Sequence, residues 1–136
     1  MISKEAEAIK QEMVQAVALR RELRALEEEW RDLLTILEEA VGETAASSFT
    51  VAQAVNEQRA VLRRALAETQ LKNWARIGGV TLSPTARRVM GLRYVLGYTW
   101  GDLVARVGKA KQYLLREHNK ALEALARKEK RAEKSL

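Results

Sequence analysis

The chain has 136 residues with 24 basic and 18 acidic side chains, a net charge of +6, 47% hydrophobic residues and no cysteine. That length suits one domain, or a small domain with a helical arm, and the hydrophobic content argues against general disorder. Without cysteine neither a disulfide nor a thiolate metal site can form, and no run of about 18 apolar residues is present to span a membrane.

Aromatic residues make up only 5% and there is one proline, while Ala, Leu, Glu, Arg and Lys recur throughout, a composition that predicts an all-α protein. The first residues are charged and have no apolar core of the kind a signal peptide needs, so the expected location is the cytoplasm of a bacterial host cell. Residues 1–41 hold 10 acidic and 6 basic side chains, residues 42–108 hold 4 and 9, and residues 109–136 again 4 and 9. An acidic first part joined to basic later parts suits a polyanionic partner for the C-terminal part alone.

The pattern predicts one long helix over 3–41. Ser3 serves as its N-cap, with Glu5 and Glu7 in the first turn, where the helix dipole favours negative charge. Ala16, Leu19, Leu23, Leu26, Trp30, Leu33, Leu37 and Ala40 recur at alternating steps of three and four, a coiled-coil-like seam of about three and a half heptads. Ile9 and Met13 fall out of that register, so the seam shifts or frays near Met13. Gly42 suits a C-terminal stop.

The small polar link GETAASSFT (42–50) leads to a second helix over 50–75, capped by Ser48 or Thr50. Its apolar stripe is weaker: Val51, Val55, Leu62, Leu66 and Trp74. An antiparallel helical hairpin and a homodimer through the N-terminal helix both fit, and a dimer of hairpins combines them. The expected division is therefore a helical arm or hairpin over 1–76, a hinge over 77–82 at Ile77-Gly78-Gly79-Val80, a helical domain over 83–128, and a charged tail over 129–136 that continues the last helix and frays.

Ser83 caps the next helix, with Pro84 in its first turn, where a missing N–H costs nothing. That helix runs to about Leu96, with Val89, Leu92, Val95 and Leu96 as its buried face, and Gly97 supplies a left-handed stop. Thr99-Trp100-Gly101-Asp102 has the layout of a capping box, followed by the apolar Leu103, Val104 and Val107. Gly108 permits the positive φ that a tight helix–helix turn demands. The last helix starts near Lys109 or Ala110. Ala110, Leu114, Ala121, Leu122 and Leu125 are expected inward, and Lys111, Gln112, Leu115, Arg116 and Asn119 outward.

A helix, a short capped helix, a glycine turn and a longer basic helix follow in the order of a helix-turn-helix, which sets its second helix in the major groove of DNA. Its core is expected to comprise Leu92, Val95, Trp100, Leu103, Val107, Gly108, Leu114, Ala121 and Leu122. Lys111 and Arg116 match guanine acceptors or phosphates, and Gln112 carries the donor and acceptor that adenine needs. Lys109, Asn119 and Lys120 lie on or beside the same helix. Arg87, Arg88, Arg93 and Arg106, on the supporting helices, are expected to grip the DNA backbone.

The stretch LRYVLGYTWGDLVARVG (92–108), followed by REHNKALEAL (116–125), resembles the promoter-reading C-terminal domain, region 4, of bacterial sigma factors. It resembles more closely the small phage and prophage regulators with a sigma-region-4-like tail. Leu92, Arg93, Tyr94, Val95, Gly97, Thr99 and Trp100 match that core, and His118, Ala121 and Leu122 match its ending. The chain departs from the pattern in four places. Ala110 replaces a capping serine, Gly101 a helical glutamate and Glu117 an apolar residue, while Leu115 falls on a face expected to be polar. The first two changes cost about 1 kcal/mol each.

The resemblance implies a DNA-binding transcription regulator of phage or prophage type that binds double-stranded DNA and activates or redirects host RNA polymerase. Two other readings stay open. One is a module that binds RNA polymerase or another partner without base readout; the other is an oligomeric phage DNA-packaging recognition subunit. Catalysis, a cofactor and a metal are not expected: glycine-rich phosphate loops are absent, and His118 is the sole histidine. His118 is expected to pack or to touch phosphate, and Trp30, Trp74 and Trp100 to fill the core or interfaces.

Overall fold

The computed structural model describes residues 1–39 and 43–135, apart from the side chains of 43–48. Among the described residues the protein is all-helical, without strands: α1 (Lys4–Met13), α2 (Gln15–Glu39), α3 (Glu43–Gly78), α4 (Pro84–Tyr94), α5 (Trp100–Val107) and α6 (Lys111–Ser135). It forms two compact units, one from Met1–Val17 with Glu68–Leu136, the other from Ala18–Ala67.

In the first unit α1 lays Ala6, Ile9 and Met13 against Ile77 of α3, Met90 and Tyr94 of α4, and Ala121, Leu122 and Leu125 of α6. A second cluster joins Val89 of α4, Leu103 of α5 and Leu114 of α6, each fully buried, with Leu92, Trp100 and Val107 packed around them. Fully burying a Val, Leu or Met side chain is worth about 1.5–3 kcal/mol, so these clusters fix the mutual placement of α1, the end of α3, α4, α5 and α6.

The single helix expected over 3–41 is interrupted at Val14. In a continuous helix the Met13 carbonyl would accept from the Val17 N–H. Here it accepts instead from the buried Asn73 amide (3.1 Å), and the Val17 N–H turns to the Val14 carbonyl (2.9 Å). The Asn73 amide also donates to the Tyr94 carbonyl (2.8 Å), and Gln70, one turn earlier, donates to the Val95 carbonyl (2.5 Å). One face of α3 thus serves the C-terminal ends of both α1 and α4, where helical carbonyls lack partners. Residues 1–17, expected in the arm, pack with the C-terminal helices.

In the second unit Leu26 of α2 and Ala52 and Leu66 of α3 are buried. The expected seam is the covered side of α2, with Leu19, Leu23, Trp30, Leu33 and Leu37 half-buried. Glu27 meets Arg63 (3.0 Å) and Arg59 (3.8 Å), and the Arg59 guanidinium lies 5.5 Å from the Trp30 ring centre. These side-chain contacts join α2 to the middle of α3.

Four sequence expectations change in this frame. α3 begins at Glu43 and ends at Gly78, so Thr50 lies inside the helix and cannot cap it. Its covered face is Ala52, Val55, Arg59, Leu62 and Leu66, and Val51 is exposed. Trp74 is 58% exposed, because the inward position near it belongs to Asn73. α4 ends at Tyr94, one turn of chain closes through the Leu96 N–H to the Gly91 carbonyl (3.0 Å), and Leu96 is left outside. Gly42 and Ala40 lie outside the described residues, as does the side chain of Ser48.

The stretch expected as a hinge is anchored at both ends. Ile77 is 1% exposed, Val80 and Leu82 pack on the same core, and Lys128 donates to the Gly79 carbonyl.

Candidate nucleic-acid interface

The local chemistry of 99–111 sets where α6 begins. The Thr99 hydroxyl accepts from the Asp102 N–H (3.2 Å), and the Asp102 carboxylate accepts from the Thr99 N–H (3.4 Å), the reciprocal bonds of a capping box. α5 stops at Gly108, whose φ of 73° is a left-handed conformation that side chains resist. The Leu114 N–H then bonds the Ala110 carbonyl (3.1 Å), so α6 starts without a side-chain cap, and Ala110 is exposed where it was expected inward.

The inward face of α6 is Leu114, His118, Ala121, Leu122, Leu125 and Ala126. Lys109, Lys111, Gln112, Arg116 and Lys120 are all exposed. Gln112, Arg116 and Lys120 follow at steps of four, which sets them in one row along the helix. The Arg116 guanidinium stands 6.0 Å from the Tyr113 ring centre, and the Lys120 ammonium 3.7 Å from Glu117. Leu115, expected outward, is half-buried; it lines a cavity with Ile2, Trp100 and His118. α1 covers α6 further along, where the Ser3 N–H donates to Glu123 (2.7 Å) and holds that carboxyl below its usual range.

The arginines of the supporting helices separate into distinct settings. Arg88 donates to the Arg106 carbonyl at the end of α5 (3.2 Å), and Arg106 lies 4.5 Å from the Tyr98 ring centre, beside the Gly108 turn. Arg93 is half-buried: it donates to the Tyr98 carbonyl (2.9 Å) and lies 5.5 Å from the Trp100 ring centre, holding the α4–α5 turn. Arg87 is exposed, near Val80.

Glu117 is accommodated by the Ser83 hydroxyl, which donates to it (3.2 Å). Its side chain is 12% exposed, so a carboxylate that the resemblance does not anticipate ties α6 to the start of α4.

His118 is 2% exposed. Its ring stacks with Tyr94 and meets the edge of Trp100. The Tyr94 hydroxyl donates to Nε2 (2.5 Å), and Nδ1–H donates to Asn119 Oδ1 (2.9 Å), which defines one neutral tautomer. Burial, with the nearby charges of Lys10 and Arg93, keeps the imidazole below its ordinary pKa against the opposing Asn119 bond. Burial likewise pushes the Tyr94 phenol up to about 12. His118 is therefore a packed core residue, and Asn119, expected on the reading face, is half-buried as its partner.

Of the expected helix-turn-helix core, Leu103, Leu114, Ala121 and Leu122 are fully buried and Leu92, Val95, Trp100 and Val107 half-buried, while Gly108 is exposed and serves as the turn rather than as core. Met90, Tyr94 and Asn73 complete the framework; Tyr94 matches the core of the resemblance, whereas Met90, Asn73 and the pairing of Tyr94 with His118 carried no sequence signal. Tyr94 and His118 lie 24 positions apart, and Asn73 is a polar residue on a helix face otherwise read by its apolar members. No family model, curated protein or solved structure matches the chain.

Proposed function

We propose that this protein is a DNA-binding transcription regulator of phage or prophage type, in which α5, the Gly108 turn and α6 act as a helix-turn-helix. The start of α6 enters the major groove, with Gln112 and Arg116 at base edges and Lys109, Lys111 and Lys120 at phosphates. Arg106, beside the turn, adds a phosphate contact. Contact with host RNA polymerase, implied by the resemblance to sigma region 4, belongs to the same reading.

One observation carries it. The first two turns of α6 expose Lys111, Gln112 and Arg116, while Leu114 beneath them is fully buried against Val89 and Leu103. A rigidly held helix end bearing cations and an amide is what groove binding requires.

The test is selection of duplex DNA from a random pool, followed by affinity measurement across a salt series. The expected result is one enriched sequence, bound less tightly as salt rises. Arg116→Ala should weaken that site by roughly 10-fold or more, since a good bidentate base contact is worth about 1–3 kcal/mol. Lys111→Ala should lower the salt slope by about one unit. An unenriched pool, or a selected site indifferent to both changes, overturns the reading; recovery of RNA polymerase by the same unenriching protein would favour the protein-interaction module.

A further inference from the structure

A surface groove of about 460 Å³ lies where the end of α3 meets α4. Trp74 together with Leu92, Val95 and Leu96 makes its apolar part, and Arg87 and Arg88 line it as well. The indole edge lies over the bare backbone of Gly91. Leu71, one turn before Trp74, is 70% exposed and extends the apolar surface. A contiguous apolar surface edged by cations marks an interaction site, and its complement is an apolar side chain flanked by carboxylates.

α2 carries that complement. Ala25, Glu29, Asp32, Ile36 and Glu39 recur at steps of four, three, four and three, which places them on one helix face, and all five are exposed. Ile36 is 50% exposed. Leu26, Leu33 and Leu37 belong to the covered side, so this is a second face of α2. The charge of the two units agrees. Residues 1–17 and 68–136 hold 17 basic and 9 acidic side chains, a net of +8, whereas 18–67 hold 7 and 9, a net of −2.

We propose that the protein self-associates by docking the acidic α2 face of one copy into the Trp74 groove of another. Ile36 meets the indole, and Asp32 and Glu39 meet Arg87 and Arg88. Groove against groove would instead set guanidinium groups against each other. In the proposed two-fold pair each copy offers its α2 face and receives the other's in its groove, so the contact is made twice. Doubling matters, because one helix in one small groove buries less than the roughly 1,200 Å² at the lower end of standard interfaces. The exposed row on α6 takes no part in this contact.

Sedimentation of the full chain at micromolar concentration is the test. The wild type is expected at the mass of two chains of 15.4 kDa. Arg87→Glu with Arg88→Glu, and separately Asp32→Lys with Glu39→Lys, are each expected at the mass of one chain, with unchanged helicity. An equal mixture of the two variants should pair again, since each reversed surface then meets a reversed counterpart. Arg88 also holds the end of α5, so Trp74→Ser, an exposed substitution, provides a second loss-of-pairing variant. A wild type that sediments as one chain, a Trp74→Ser protein that still pairs, or a mixture that stays single overturns the proposal.

Discussion

The imidazole of His118 has one donor and one acceptor, and the fold engages both, with Asn119 and Tyr94. Burial favours the neutral ring, so its folded pKa lies below the ordinary value of 6.5. Below about pH 6.5 the unfolded chain therefore binds a proton that the folded chain does not. The His118 contribution is complete above that pH and declines as pH falls toward the folded pKa, with a limiting slope of about 1.4 kcal/mol per pH unit. Tyr94 acts at the other end: its phenol moves from 10.0 up to about 12, so stability falls as pH rises through that interval. Thermal melts across pH should show both limbs, and the Tyr94→Phe/His118→Phe double variant should lose much of each. Tyr94→Phe alone leaves Nε2 buried without its donor and should cost about 1–3 kcal/mol; a melt unchanged from wild type would contradict the hydrogen bond.

At the scale of elements, stability rests on how helices end. Asn73 serves the last carbonyls of α1 and α4 with one amide. Asn73→Ala should therefore cost about 1–3 kcal/mol by leaving buried carbonyls unpaired, and chemical denaturation would measure it. Gly108→Ala meets no atom within 4 Å, so its cost is the left-handed backbone alone, roughly 1–2 kcal/mol.

Ends carried by local chemistry were legible in the sequence. Ser3, Ser83 and the Thr99–Asp102 pair cap as expected, and Gly97 and Gly108 take positive φ as expected. Ends set by tertiary partners were not. The broken register marks an irregularity near Met13, but nothing there announces that an amide 60 positions away will take its carbonyl. The covered face of α3 was misread for a related reason: Ala52, Arg59 and Asn73 keep the three–four rhythm without being large and apolar, while Trp74 is large and apolar off that rhythm. Of the expected reading face, the exposure of Lys111, Gln112 and Arg116 followed from the period of α6. The inward turn of Asn119 depended on His118 being buried.

Across the whole chain, burial is unequal. In Ala18–Ala67 the described buried apolar residues are Leu26, Ala52 and Leu66, whereas the first unit buries many more, several at 0% exposure. Local opening free energies follow buried apolar contact, so the two units should differ in amide hydrogen exchange. Amides of α4 and of α6 around Leu114–Leu125 should exchange about 100-fold or more slowly than those of α2, a difference of about 2.7 kcal/mol in opening free energy. Equal protection in both units would contradict that ranking. Exchange also separates packing within a chain from docking between chains. Reciprocal docking should slow residues 28–39 as concentration rises, because association stabilises only the surface it covers. Residues 50–67 should keep their rate, and α2 should lose its concentration dependence in Trp74→Ser.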